Sequence, residues 1–253
     1  MNETKGTLKP TLSENVHGLI WKIVLNEKNY LLGAESRDAE NKQVYFSVFN
    51  YSNGQKYFIN KPLYERWNLN MVHLSESSLL IKVYPDEGKP VNKGIIALDC
   101  KTGDVKWEKH NIAFHNVWEE GLEVYNPDLL PKRLLLLEIE TGDEIHNNDR
   151  SPLNSSIIFP DQHDQNIIPE WLIHSEIVGS VFYVKINERN FLSFHENYPN
   201  GLQLRLVVYE GVEILLDDIL LEGIQKLQPE TFFIVQNHLF CMKGNNKIIS
   251  YLV

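Results

Sequence analysis

Gly94-Ile-Ile-Ala-Leu-Asp-Cys-Lys-Thr-Gly-Asp-Val-Lys-Trp107 decides the fold, because it spells two strands and the turn between them. Gly94 to Leu98 is a β-prone run, Asp99 to Gly103 is rich in turn formers, and Val105-Lys106-Trp107 returns as a second strand. Four further stretches follow the same plan. Val44–Phe49 leads through Asn50–Gly54 into Gln55–Phe58, and Arg133–Leu137 leads through Glu140-Thr-Gly142 into Asp143–Ile145. Leu204–Val208 turns at Gly211 into Val212–Leu215, and Leu239–Met242 turns at Gly244 into Lys247–Tyr251. Each glycine stands where a hairpin needs a residue tolerant of positive φ.

Glycines 54, 103, 142, 211 and 244 are separated by 49, 39, 69 and 33 residues. That brackets the roughly 40 to 50 residues of a propeller blade. Ahead of each hairpin lie runs that can serve as inner strands. They are 19–24 with 30–32, 69–74 with 79–83, 112–114 with 122–125, 172–177 with 181–184, and 223–227 with 231–235. The expectation is an all-β, single-domain β-propeller of about five four-stranded blades over 18–253. Residues 1–17 are expected as a flexible tail or a strap. The gap of 69 is assigned to an insertion at about 147–170 and a longer connection around 187–200. Two alternatives stand beside this: an amphipathic helix over 213–226, and a two-domain sandwich, which does not predict repeated hairpins.

The Ala97-Leu-Asp99, Thr102-Gly103 and Trp107 pattern resembles the repeat unit of quinoprotein-type (PQQ-like) β-propellers. The chain from Leu19-Ile-Trp-Lys-Ile23 through Glu35-Ser-Arg37 to Asn126-Pro127 and Thr141-Gly142 is similar to a family of short, uncharacterised bacterial propeller-like proteins. That resemblance implies a blade geometry and brings no activity with it. Quinoprotein dehydrogenases are larger and exported, and carry a vicinal cysteine pair and calcium ligands that have no counterpart here. No quinone, and no other cofactor, is therefore expected.

Composition narrows the partners. The 253 residues carry a formal charge of −10 and no basic run, which argues against nucleic acid. Met1 to His17 is polar and mixed in charge, unlike a secretory signal, and no apolar run is long enough to span a bilayer. The expectation is a cytoplasmic protein without a membrane partner. Cys100 and Cys241 lie in apolar runs and read as two buried thiols.

Candidate chemistry is scattered. Asp161, His163 and Asp164, with Glu170 and His174 nearby, offer oxygen and imidazole ligands for a divalent metal; the alternative is a solvated loop. His73, His115 and His195 lie in or beside strands and would form an acid–base pair with Glu119, Glu120 or Glu196 if they faced a channel; a structural histidine is the alternative. Trp171, Trp67 and Phe159 are candidate binding anchors, whereas Trp107, at the end of the repeat, is expected to pack between blades. The insertion reads either as an ordered lid or as a decoration without a binding role. Two functions follow. The first is a protein-interaction or ligand-binding scaffold for a protein or small-molecule partner. The second is a hydrolase or lyase that uses histidine and carboxylates on an uncharged or cationic substrate.

Overall fold

The computed structural model describes residues 5–85, 91, 93–173, 175–229 and 231–253. The chain opens with β1 (Lys5–Gly6) and β2 (Pro10–Asn15). Three four-stranded meanders follow. The first is β3 (Leu19–Asn26), β4 (Leu31–Asp38), β5 (Gln43–Asn50) and β6 (Lys56–Pro62). The second is β7 (Leu69–Leu74), β8 (Ser78–Val83), β9 (Gly94–Asp99) and β10 (Val105–His110), and the third is β11 (Ala113–Trp118), β12 (Gly121–Tyr125), β13 (Leu134–Leu137) and β14 (Glu144–Ile145). Then come β15 (Asp161–His163), β16 (Ile177–Ile186), β17 (Arg189–Tyr198), β18 (Gly201–Glu210) and β19 (Glu213–Ile224), which with β1 make a six-stranded sheet. Finally β20 (Phe232–Val235), β21 (His238–Lys243) and β22 (Lys247–Leu252) pair with β2. The protein is all-β, with five antiparallel sheets. Among the described residues no helix is long and apolar enough to cross a membrane. The sheets fall into two units, 16–155 with the three meanders, and 1–15 with 156–253 with the other two.

In the first unit, period-two alternation splits the middle meander between its neighbours. Leu79, Ile81, Ile96 and Leu98 pack with Phe46 and Val48 of β5, while Leu80, Ile95 and Ala97 pack with Val117, Leu122 and Val124. That is why Leu79–Ile81 of β8 and Ile95–Leu98 of β9 read as unbroken apolar runs: both faces are buried there. The hairpin turns of the three meanders share one geometry. Asn50, Asp99 and Glu138 each accept the turn glycine's N–H on their carbonyl oxygen, at 2.8–2.9 Å. Asn53, Thr102 and Thr141, just before the glycine, accept the N–H two residues on with their side chains.

Trp107 packs between sheets of this unit, and its indole donates to the Ile139 carbonyl at 3.0 Å. Its ring lies against the next turn: a Cβ on Gly142 (φ +77°) would meet Trp107 Cδ2 at 2.9 Å. We expect Gly142→Ala to lower stability by about 2–3 kcal/mol, from left-handed strain plus overpacking. Gly211→Ala, at φ +57° with open space around the added methyl, should cost only about 1 kcal/mol. Equal melting-point losses for the two variants would count against the close-packed turn.

In the second unit, Phe191, Leu206 and Val208 pack with Ile234, Leu239 and Tyr251, joining its two sheets in one core. The other face of the six-stranded sheet is covered by 3-10 turns at Gln165–Ile167 and Glu170–Leu172, which bury Ile168 and Leu172 against Val181, Phe194 and Val207.

Several expectations are corrected. The alternative of a helix over 213–226 falls: residues 213–224 are a strand paired along β18. Arg189–Tyr198 is a central strand, not a connection; its buried Ser193, His195 and Glu196 disguise it as polar chain. The fourth strand beside β20–β22 is β2, from within the segment expected as tail or strap, and not 223–227. Residues 1–4 of that segment lie outside the described ones. Leu12 explains the docking: it is buried in a strand whose neighbours are polar, and Thr11 Oγ1 donates to the Ser250 carbonyl. One sheet has six strands where four were expected, through β1 and β15. Within 147–170, the first part is tied by bridges Trp118↔Pro152 and Ile158↔Ile234, and the division between the two units falls after residue 155.

Candidate functional site

The first strand of each meander carries a bulge, which ejects one residue from the ladder. In β3 the register shifts between Ile20 and Lys22, so Trp21 is left unpaired; in β11 it shifts between Phe114 and Asn116, which frees His115. Bulges re-aim side chains, and both residues are turned outward. Trp21 is 64% exposed, and His115 is half-exposed.

Trp21 does not stand alone. The Arg37 guanidinium lies 4.9 Å from its ring and 5.2 Å from the ring of Trp67, so the cation touches two indoles. Beneath it, Glu35 is completely buried. Its Oε1 accepts from Arg37 Nε and Nη2 at 2.9 and 2.7 Å, and its Oε2 accepts the Met71 N–H at 2.7 Å. Arg37 also donates to the Leu69 carbonyl. The stack is thereby locked from below by strands of two sheets.

Cations and rings continue across the unit. Lys22 pairs across the ladder with Glu35. Burial pushes the Lys22 ammonium down, the neighbouring charge of Lys82 pushes it further, and Glu35 opposes both. Lys82 Nζ stands 5.1 Å from the Phe114 ring and 5.7 Å from Tyr84. Next to Phe114, His115 Nε2 is 3.7 Å from Glu123 Oε2, and Arg150 Nε donates to Glu123 Oε1 at 2.7 Å. Burial works against the ionised Glu123, but Arg150 and His115 hold its pKa below the usual value. Tyr125 meets the His115 ring edge-on and carries Lys132 Nζ 3.5 Å from its centroid. An acidic chain thus has a cationic, aromatic seam along three sheets.

The residues singled out from the sequence are dispersed. Trp67 belongs to the stack just described. Trp171 meets Tyr209 edge-on at 5.5 Å, and Phe159, 63% exposed, leans on Phe233. Asp161 and His163 lie on the exposed β15, with the His163 ring against Tyr183, and Asp164 is exposed beside them. Among the described residues no three His, Cys, Asp or Glu side chains gather as a metal site; His174 lies outside those residues.

His195 and Glu196 do not pair, because neighbours on a strand point to opposite faces. His195 is buried and accepts the Gln228 N–H on Nε2, and burial lowers its pKa. Glu196 faces Arg205 instead. The His73 imidazole is pushed down to about 4 by burial, against the pull of Glu140. Glu120 accepts the Ser151 N–H, and Glu119 donates its own N–H to the Ser151 carbonyl. Among the described residues none of the three histidines pairs with Glu119, Glu120 or Glu196; His115 stands beside Glu123 instead, a carboxylate not named from the sequence. Cys100 and Cys241 are buried free thiols.

Glu140 gathers a second polar cluster. It accepts from the hydroxyls of Ser75, Ser77 and Ser78 and from Lys106 Nζ. Burial opposes its charge, but these donors hold the carboxyl down at about 2. Lys106, held against that carboxylate at 2.6 Å, has the surroundings of a cation and not of a general base, so the cluster is structural.

Trp21, Lys22, Glu35, Arg37 and Lys82 were not proposed as site residues from the sequence. Glu35 and Arg37, charges at i and i+2 directly after the apolar run Leu31–Ala34 of one strand, are the signal that points to them.

Comparison with known proteins adds little chemistry. The family described as "Domain of unknown function (DUF4905)" matches residues 25–107, less than half of the chain. That span holds Glu35, Arg37, Trp67 and Lys82. No curated protein matches. Among solved structures, Chaetomium thermophilum Raptor is similar at 10% identity and a TM-score of 0.37, over 98% of this chain and 29% of Raptor. A bifunctional GH43-CE protein of Bacteroides eggerthii is similar at 10% identity and a TM-score of 0.28, over 99% of this chain and 34% of that protein. The chain spans well under two thirds of either.

Proposed function

We propose that the chain is a propeller-like binding scaffold that holds a partner on the seam of residues 16–155. The observation that carries this reading is the Trp21–Arg37–Trp67 stack, an exposed indole raised by a bulge over an arginine fixed by a buried carboxylate. Tryptophan and arginine dominate binding hot spots, and a side chain immobilised before binding loses little entropy on contact. Nothing in the core depends on Trp21. Trp21→Ala should leave the melting temperature within about 1 °C of the wild type. It should abolish capture of any partner recovered by photo-crosslinking from position 19. The same substitution at Trp171 should leave that capture intact; loss in both variants, or in neither, would sink the assignment.

A second reading, hydrolase or lyase, is favoured by His115, half-exposed beside an ionised Glu123 that Arg150 holds in place. A general base needs this arrangement of imidazole and orienting carboxylate. The net charge of the chain suggests an uncharged or cationic substrate, but Lys82, Lys132 and Arg150 surround this pair with the opposite sign, so an anionic one fits. Turnover of an anionic ester or phosphate ester, lost in His115→Asn, is the result that would favour it over the scaffold.

A further inference from the structure

Lys22 and Lys82 are two partly buried cations of the seam that stand without an ion pair among the described residues. Both are partly buried, one on the first strand of the first sheet and the other on the second strand of the second. Among the described residues neither ammonium has a hydrogen-bond acceptor or a carboxylate within ion-pair distance, although each offers three N–H donors. The nearby carboxylate, Glu35, is already committed, one oxygen to the Arg37 fork and the other to the Met71 N–H. Lys82 pairs across its ladder with Asn70, the neighbour of Met71, so three cations, Lys22, Arg37 and Lys82, stand about one carboxylate. Aromatic rings of Trp21, Trp67, Tyr84 and Phe114 stand against two of them, Arg37 and Lys82, and keep the local dielectric low.

We propose that Lys22 and Lys82 form a binding site for the phosphoryl group of a small phosphate monoester, with the exposed Trp21 face receiving the body of the molecule. Two features select phosphate over carboxylate. A phosphoryl group carries about 1.5 to 2 negative charges at neutral pH and three acceptor oxygens, which match the two-charge excess and two ammonium donors. The edge of Arg37 that could grip a carboxylate, Nε with Nη2, is already committed to Glu35 Oε1 and the Leu69 carbonyl. Lysine serves phosphate as a compact point charge, and no fork is needed. The site deepens the scaffold reading and rests on it for the role of Trp21.

The test is titration calorimetry of the full chain at constant ionic strength with phenyl phosphate, inorganic phosphate and succinate. Phenyl phosphate should bind most tightly and inorganic phosphate more weakly, with succinate showing no heat beyond dilution. Lys22→Gln or Lys82→Gln should each weaken phenyl phosphate by about tenfold or more, the loss of one charge-assisted contact. Trp21→Ala should weaken phenyl phosphate and leave inorganic phosphate unchanged. Without ligand, neither lysine variant should melt below the wild type, since each removes an uncompensated charge. Absence of binding by both phosphates, equal binding of succinate, full affinity in the double lysine variant, or a lowered melting point that exposes a hidden internal partner would each overturn the site. Failure here with Trp21→Ala still abolishing partner capture would retire the phosphate site and leave the scaffold standing.

Discussion

Replacing Arg205 with methionine is expected to destabilise the protein by about 3–5 kcal/mol, the largest effect of any single substitution considered. Arg205 is almost wholly buried on β18 between two acidic partners. Its Nε and Nη2 donate to the two oxygens of Asp217 at 2.7 Å each, and its Nη1 stands 3.5 Å from Glu196 Oε1. The Asp217 bonds first, then both carboxylate charges, raise the Arg205 pKa further, against its burial. Glu196 is only 3% exposed, and among the described residues its one other side-chain partner is the Ser175 hydroxyl, so without the guanidinium its charge is buried and uncompensated there.

Arg205→Lys should recover only part of the loss, because one ammonium cannot reproduce the paired bonds to Asp217. Urea unfolding at pH 7 measures both losses. A methionine variant within about 1 kcal/mol of the wild type at pH 7 would show that Glu196 finds another partner.

Glu35→Gln is the second large loss, expected at about 2–4 kcal/mol. The substitution keeps shape and removes charge. Both carboxylate oxygens accept hydrogen bonds, three in all, from Arg37 and the Met71 N–H. An amide supplies one acceptor oxygen and one NH2, so whichever way it turns, a donor faces a donor in a site without water access. The neighbouring cations also lose their single counter-charge. Unlike Arg205→Met, this change should disturb the surface as well as the stability. Arg37 released from below no longer holds Trp21, and the Trp21 environment reports it. We expect altered near-ultraviolet circular dichroism, and weakened partner capture at temperatures where the variant is still folded. An unchanged Trp21 signal with lowered stability would separate the buried bond from the surface stack.

How much of this was legible beforehand differs between fold and site. All five turn glycines adopt positive φ, as their spacing indicated, because a hairpin turn is a local event that needs only its own residues. Trp107 as a packing residue followed from the same repeat. Arg189–Tyr198 was hidden because burial on both faces admits Ser193, His195 and Glu196 into a central strand, where their contacts come from residues distant in sequence: Thr231, Gln228 and Arg205. The partnership of β2 with β22 joins residues 239 positions apart, beyond any local pattern.

By itself the sequence determined the all-β class, the hairpins and the turns between them, since alternation and turn chemistry act over a few residues. Only the tertiary structure decided where charge accumulates. Lys22, Arg37 and Lys82 stand on three different strands and form no basic run, in a chain of net charge −10. Strand pairing and sheet stacking bring them around one buried carboxylate, and electrostatic interaction falls with distance through space, not with separation along the chain.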